Sequence, residues 1–157
     1  MTTDPLTGLL TLESFLQELR GRRAGGVVYI DIVGLVFSNF VLGPNATDQL
    51  LVETGNLLVA HCPKGLVARA VSDEFVAFTE KMENATLLAE IFATAFDRQL
   101  AQRRARVLTG TSEAGVIHAP ARVLTLSMGT AALENHESLE AALQAADSSR
   151  CPRETAR

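Results

Sequence analysis

Apolar residues recur along the chain at two spacings, one typical of helices and the other typical of strands. The helical spacing predicts four helices, over residues 9–20, about 45–61, about 84–104 and 136–149. Dense apolar and β-branched runs predict strands over residues 27–33, 66–70, 75–79 and 122–133, the second and third of which form a hairpin. The alternating order predicts an α/β sandwich with a mixed sheet flanked by helices.

Glycines and helix caps add local detail to this pattern. Gly129 lies inside the predicted strand of residues 122–133, which indicates a bulge or a close approach of another backbone. The break at Gly43 and Pro44 leaves Asn45 or Thr47 to cap the second helix. The polar, glycine-containing residues 109–115 are predicted to form a loop.

Length and charge limit the class of protein. At 157 residues the chain is predicted to be a single domain, residues 1–157. Its net charge of -4 argues against binding to nucleic acid or to an anionic membrane, which needs a basic surface. Cys62 and Cys151 are expected to be reduced thiols. With no signal sequence and no apolar run long enough to span a membrane, the chain is expected to be cytoplasmic, or a cytoplasmic piece of a larger protein.

Three carboxylates are the candidate functional residues. Asp73 and Glu74 lie in the turn before the strand of residues 75–79, and Asp31 lies inside an apolar strand. A buried aspartate is costly unless it is paired, hydrogen-bonded or bound to a cation. Asp31 is therefore either a carboxylate at the strand end that caps the next turn, or a functional residue. A sheet that brings Asp31 beside Asp73 would offer hard oxygen ligands for Mg²⁺, which usually takes further oxygen ligands from a substrate phosphate.

Several motifs in sequence order resemble those of one family. They are Asp4-Pro5-Leu6-Thr7-Gly8-Leu9, then Tyr29-Ile30-Asp31-Ile32 with Asn39, Gly43 and Asp48, then Arg69-Ala70-Val71-Ser72-Asp73-Glu74-Phe75, then Leu126-Ser127-Met128-Gly129, and finally Ala146-Asp147. Together they resemble the GGDEF domains, the diguanylate cyclases that join two GTP molecules into cyclic di-GMP. The resemblance covers nearly the whole chain. It implies a nucleotidyl-cyclase-like sandwich, with a central, mainly antiparallel sheet of about five strands.

The resemblance also implies roles for particular residues. The implied roles are Mg²⁺ ligation by Asp31, Asp73 and the carbonyl of Ile32, hydrogen bonding to the guanine base by Asn39 and Asp48, and positioning or activation of the attacking 3′-hydroxyl by Glu74. All of these side chains are present in the sequence. Mg²⁺ is expected only where a nucleotide is bound.

The signature turn departs from the family pattern. Val71 and Ser72 stand where the family has two glycines, which let the turn approach the GTP phosphates. Glycine adopts positive φ without strain, whereas a β-branched residue does not. The turn is therefore expected to have changed shape or to have moved away from the ligand.

Several charged positions depart as well. Val33 replaces the second aspartate of the strand motif, and Val36 and Glu154 stand where the family has lysines that contact phosphate. Arg153 or Arg157 could replace the latter only with some rearrangement. Removing one group that stabilises the charge developing in a transition state typically lowers the reaction rate by about 10²–10³. The inhibitory product site of the family, an Arg-x-x-Asp, is replaced by Cys62-Pro63-Lys64-Gly65.

The sequence therefore predicts a degenerate, non-catalytic GGDEF signalling domain in cyclic di-GMP signalling. It would bind GTP, or act as an interaction or dimerisation module with a protein partner or a second copy of itself. The alternative is a weakly active diguanylate cyclase, which the retained Asp31, Asp73 and Glu74 favour. A cyclic di-GMP receptor is the least supported, because the Arg-x-x-Asp site is missing.

Overall fold

A computed structural model describes residues 1–36, 43–63, 66–108 and 124–152, with the backbone alone for residues 104–108. The helices are labelled α1 (Leu12–Glu18), α2 (Pro44–His61), α3 (Met82–Leu108) and α4 (Leu139–Ser148). The strands are labelled β1 (Leu10–Thr11), β2 (Gly26–Val33), β3 (Leu66–Arg69), β4 (Glu74–Thr79), β5 (Thr125–Ala132) and β6 (Cys151–Pro152). A 3₁₀ turn follows β5 at Leu133–Asn135.

In the described residues the strands form one six-stranded sheet in the order β1-β3-β4-β2-β5-β6. The β1–β3 pair is parallel and the other pairs are antiparallel. The predicted mixed, mainly antiparallel sheet flanked by helices is therefore confirmed. The predicted count of about five strands is slightly low, because β1 and β6 are edge strands of two residues each and too short to show a sequence pattern.

The predicted helix boundaries at both ends of the chain are wrong by about three residues. The first helix was expected from residue 9, but Leu10–Thr11 is strand and the Thr11 side chain caps α1 by accepting a hydrogen bond from the Ser14 amide. The last was expected from residue 136, but Ser138 caps α4 in the same way, accepting from Ala141. In both cases a hydroxyl cap fixes the start of the helix.

Two further boundaries differ. Helix α2 begins at Pro44 after Gly43, which has a φ of 82°, and neither Asn45 nor Thr47 is its cap. Helix α3 begins at Met82 and runs to Leu108, longer at both ends than predicted. Residues 109–115, predicted to be a loop, lie outside the described residues, as do the first two residues of the strand predicted from residue 122.

Each face of the sheet carries its own apolar core. Val28, Ile30 and Ile32 of β2 pack with Phe92 and other residues of α2 and α3. On the opposite face, the core contains Val27 together with residues of α1 and α4, and Tyr29 packs against it. Because side chains alternate along a strand, Asp31 lies on the same face as Val27 and Tyr29. The acidic end of β2 thus faces the side of α1 and α4.

Gly129 of β5 lies opposite Tyr29 of β2 and beneath α4. A Cβ atom at Gly129 would overlap the carbonyl oxygen of Ala146 and lie 2.7 Å from the Ser149 hydroxyl. The predicted close backbone approach is confirmed. The pairing of β5 with β2 runs without interruption from Thr125 to Ala132, so the alternative of a bulge is wrong.

The cysteines and the helices bear on two further expectations. Cys62 is buried and Cys151 is exposed, and no disulfide joins them, as expected of reduced thiols. Among the residues described, no helix combines the length and the apolar character that a membrane-spanning segment requires.

Candidate functional site

The three candidate carboxylates lie together at one end of the two central strands. In the register of β2 with β4, Asp31 lies directly opposite Glu74. The amide of Ile32 donates a hydrogen bond of 3.2 Å to the carbonyl of Asp73, which fixes the turn against β2. The sheet therefore brings Asp31 beside the turn of Asp73.

An arginine lies among these carboxylates. Nη1 of Arg150 is 2.8 Å from Oδ2 of Asp31 and 3.7 Å from Oε1 of Glu74. Nε of the same side chain is 2.7 Å from Oδ1 of Asp147. Nη1 of Arg150 is buried, and its contact with Asp31 is an ion pair.

Tyr29 completes this cluster. Its hydroxyl donates a hydrogen bond of 2.8 Å to Oε2 of Glu74, and the Arg150 guanidinium lies 5.5 Å from the centre of its ring, within cation–π range. Burial, with the hydrogen bond to Glu74, raises the pKa of Tyr29 well above its ordinary value. Tyr29 therefore keeps its proton and remains a donor to Glu74.

The pKa of Asp31 reflects both its burial and the charges around it. Burial raises the pKa of Asp31 above its ordinary value, and the negative charges of Asp73 and Glu74 raise it further. Arg150 lowers it, but the net shift remains upward. Because burial is the largest cause, Arg150 offsets only part of the combined effect of burial and of the neighbouring carboxylates on the pKa of Asp31.

The signature turn contains one residue in the left-handed region. Ser72 has a φ of 47° and is the only residue other than glycine with a positive φ in the described ranges. The amide of Glu74 donates to the Val71 carbonyl at 2.7 Å, and the amide of Ala70 donates to the Glu74 carbonyl at 2.8 Å, which closes the hairpin. The positive φ falls on Ser72 rather than on the β-branched Val71, whose side chain is 63% exposed.

The remaining residues of the implied site are placed as follows. Asp48 is exposed in the first part of α2, and Ile32 is fully buried in β2. Asn39 lies outside the described residues, so its role stays a prediction. Val36, which stands where a phosphate-contacting lysine was expected, is 85% exposed. Glu154, Arg153 and Arg157 lie outside the described ranges.

The donor set does not fit a Mg²⁺ ion as it stands. Across the part of the chain that the structure describes, no group of three or more histidine, cysteine, aspartate or glutamate side chains is arranged to hold a metal ion. One oxygen of Asp31 lies against the Arg150 guanidinium, and one oxygen of Glu74 accepts the Tyr29 hydroxyl. Ligation by Asp31, Asp73 and the Ile32 carbonyl therefore stays a prediction and requires Arg150 to move.

Sequence reasoning overlooked both Arg150 and Tyr29. Arg150 lies between the cap of α4 and β6, just after the Ala146-Asp147 motif. A basic residue after a helix is usually interpreted as pairing with the helix dipole or with solvent. The available signal was the presence of Asp31 in an apolar strand, which calls for a partner of opposite charge.

The fold and sequence match known proteins. The family described as "Diguanylate cyclase, GGDEF domain" matches residues 1–150. Among solved structures, the diguanylate cyclase SiaD in complex with its activator SiaC, from Pseudomonas aeruginosa, is similar with a TM-score of 0.70 and 20% identity. The match covers 94% of this chain and 55% of the SiaD chain, so this chain spans about half the length of that protein.

Two structures from Caulobacter crescentus are also similar. The GGDEF domain of DgcB in complex with c-di-GMP has a TM-score of 0.63 and 21% identity, over 94% of this chain and 86% of the other. A sensory box/GGDEF family protein has the same TM-score and identity, over 95% of each chain. At sequence identities of 20–21%, these matches show that the fold is shared and no more. A search of curated proteins found no match.

Proposed function

Because this chain belongs to the GGDEF domain family, we propose that it is a signalling domain of the cyclic di-GMP system that does not make cyclic di-GMP. It acts instead by contact with another protein or with a second copy of itself. The observation that carries this proposal is the signature turn, in which Val71 and Ser72 take the place of two glycines.

The conformation of the signature turn is fixed, and Val71 and Ser72 give it two side chains. Arg69 donates to the Ser72 carbonyl from two nitrogens, at 2.9 Å and 2.6 Å, so the turn is fixed to the end of β3. The exposed Val71 side chain then occupies the surface over which a phosphate chain would have to approach the backbone. With two glycines in the turn, backbone amides rather than side chains would line that surface and could contact a phosphate.

Within the described part of the chain, the surroundings of the turn supply little positive charge for a triphosphate. Val36 presents an exposed methyl surface in place of a lysine, and the Arg150 guanidinium is engaged by Asp31 and Asp147. Phosphoryl transfer depends mainly on positioning and on cationic stabilisation of developing charge. The retained Asp73 and Glu74 alone do not provide this stabilisation.

The relatives support a role through contact. The similar structure of SiaD was solved with its activator SiaC bound, and 55% of the SiaD chain matches this fold, so a protein that contains this fold engages a protein partner. For this chain a protein partner or a second copy is proposed by analogy with that case.

Turnover is the direct test. The purified chain is incubated with GTP and Mg²⁺ and the products are separated by chromatography, with an Asp73→Ala variant as the matched control. No cyclic di-GMP above the control is expected. Cyclic di-GMP formation that disappears in Asp73→Ala would overturn the proposal and establish a weakly active cyclase. Sedimentation velocity over a range of concentrations, without nucleotide, measures self-association separately.

GTP binding without turnover is a second candidate, favoured by the position of Asp48. This carboxylate is exposed near the start of α2, open to a ligand, and would contact the guanine base together with Asn39. Mg²⁺ at Asp31 and Asp73 belongs to this candidate and would arrive with the nucleotide. Calorimetric titration with GTP and Mg²⁺ tests it, with Asp48→Ala as the variant expected to lose the heat of binding.

A further inference from the structure

The Arg150 side chain holds a positive charge at the point where the acidic side chains converge. Its Nη1 lies 2.8 Å from Asp31 and 3.7 Å from Glu74. These two carboxylates come from neighbouring strands and face each other in register. A guanidinium carries a permanent positive charge and is well suited to pairing with carboxylates.

The position of the guanidinium is fixed from several sides. Nε contacts Oδ1 of Asp147 at 2.7 Å, and also donates to the backbone carbonyl of Asp147 at 3.3 Å. The backbone amide of Arg150 donates to that same carbonyl at 3.2 Å. The Tyr29 ring lies against the guanidinium at 5.5 Å. Arg150 is therefore placed by the end of α4 and by β2, rather than being a mobile surface side chain.

A metal ion bound to Asp31 would compete with this guanidinium. Mg²⁺ lies about 2.0–2.1 Å from its oxygen ligands and requires near-octahedral geometry. An ion at that distance from Asp31 would stand close to the positive charge of Arg150, and like charges repel strongly where solvent is largely excluded. Arg150 and Asp31 are 22% and 23% exposed, so water screens the repulsion only in part.

The opposing effect is the excess of negative charge. Asp31, Asp73, Glu74 and Asp147 together carry more charge than one guanidinium neutralises, and this excess attracts cations from solution. Direct ligation, however, needs converging oxygens, and two of the nearest ones are already engaged, by Arg150 and by the Tyr29 hydroxyl. The direct contacts are therefore expected to outweigh the diffuse attraction.

We propose that Arg150 is the resident cation of this site and excludes Mg²⁺ from Asp31 in the nucleotide-free domain. The side chain takes the place of the metal that the family resemblance implies, so the carboxylates are neutralised within the chain. The proposal does not depend on whether the domain binds GTP or turns it over, because it concerns the protein and the metal alone.

The test is a metal titration without nucleotide. Thermal unfolding of the 157-residue chain is followed over increasing MgCl₂, against NaCl at the same ionic strength, and binding is measured by calorimetry. The parent chain is expected to gain no stability from Mg²⁺ beyond the salt control. Arg150→Met, which removes the charge but keeps an unbranched side chain, is expected to bind Mg²⁺ at least about tenfold more tightly, because the repulsion by the guanidinium is removed. Its thermal stability should then rise with MgCl₂, since bound metal stabilises the folded state.

Three matched variants make the result specific. Arg150→Lys keeps a positive charge and is expected to behave as the parent does, and Arg20→Met controls for the loss of an exposed arginine. Asp31→Asn in the Arg150→Met background is expected to abolish the gained binding. Circular dichroism checks folding, and Arg150→Gln replaces Arg150→Met if that variant fails to fold.

Two results would overturn the proposal. One is Mg²⁺ binding by the parent chain that Asp31→Asn weakens. The other is a folded, uncharged variant at position 150 that binds Mg²⁺ no more tightly than the parent. Neither result bears on turnover, which the GTP assay with Asp73→Ala measures independently.

Discussion

The Arg69 guanidinium donates two hydrogen bonds to a single oxygen, the carbonyl of Ser72, from Nε at 2.9 Å and from Nη2 at 2.6 Å. Its remaining nitrogen, Nη1, lies 3.0 Å from Oδ1 of Asp4 near the amino terminus. Asp4 in turn accepts hydrogen bonds from the amide and hydroxyl of Thr7. One arginine therefore ties the signature turn to the first turn of the chain.

Replacing Arg69 with alanine is expected to destabilise the domain by about 2–3 kcal/mol, because hydrogen bonds to charged groups are lost and a partly buried carboxylate is left unpaired. Arg69 and Asp4 are 14% and 19% exposed, so water replaces these contacts poorly. Urea unfolding followed by circular dichroism measures the change. Arg20→Ala, at an exposed position, is the control and should change stability by less than about 0.5 kcal/mol.

The Asp4 carboxylate makes part of this stability dependent on pH. Burial raises the pKa of Asp4, but the hydrogen bonds from Thr7 and the charge of Arg69 outweigh it and hold the pKa below its ordinary value. The unfolded chain therefore binds this proton at a higher pH than the folded chain. The stabilisation is fully present above the ordinary aspartate pKa and is lost as the pH falls through the lowered value.

Asp4→Asn is expected to reveal this dependence. The free energy of unfolding should differ most from that of the parent near neutral pH, and the difference should shrink between about pH 5 and pH 2. The raised pKa of Asp31 acts in the opposite direction, but it is common to both chains and cancels in the comparison. A difference that stays constant over this range would show that Asp4 does not contribute through its charge. Asp48→Asn, at an exposed position, is the control for removing one carboxylate.

Ser72→Gly is expected to stabilise the hairpin by up to about 1 kcal/mol. A left-handed conformation costs an L-residue about 1–2 kcal/mol, which exceeds the added freedom of glycine in the unfolded chain. Val71→Gly is the matched control, because Val71 does not have a positive φ. That variant should be destabilised by about 0.5–1 kcal/mol. Equal effects of the two substitutions on urea unfolding would rule out backbone conformation as the cause.

How much of the fold the sequence predicts depends on how many residues carry each signal. Strand β2 was predicted over residues 27–33 and observed at Gly26–Val33, because a run of apolar residues reports burial at every position. Helix starts were predicted less well, because each cap depends on a single residue. Thr11 and Ser138 each have an extended backbone, and their hydroxyl groups accept a hydrogen bond from the first turn of the helix.

The site shows the same limit. The family resemblance implied that Asp31 and Asp73 share one metal ion, and the antiparallel pairing of β2 with β4 brings Asp31 beside that turn. The contact of Arg150 with Asp31 joins residues far apart in the sequence, and no local pattern predicts it. Its only trace was a charged residue in an apolar strand, which indicates that a partner exists but not which one.

Gly129→Ala tests how closely α4 packs on the sheet. The added methyl group would overlap the Ala146 carbonyl, a backbone atom that cannot turn aside, so a loss of at least about 2–3 kcal/mol is expected. Gly55→Ala in α2 is the contrasting variant. Its methyl would lie 3.0 Å from the end of the flexible Leu9 side chain, and the higher helix propensity of alanine offsets the crowding, so little change is expected.

The same substitution has a second expected effect, because α4 leads directly into Arg150. Displacing the end of α4 from Gly129 should move the guanidinium away from Asp31. Gly129→Ala, where it folds, should then gain Mg²⁺ binding in the same metal titration, whereas Gly55→Ala should not. Destabilisation without any gain in Mg²⁺ binding would show that Arg150 keeps its place independently of how α4 packs on β5.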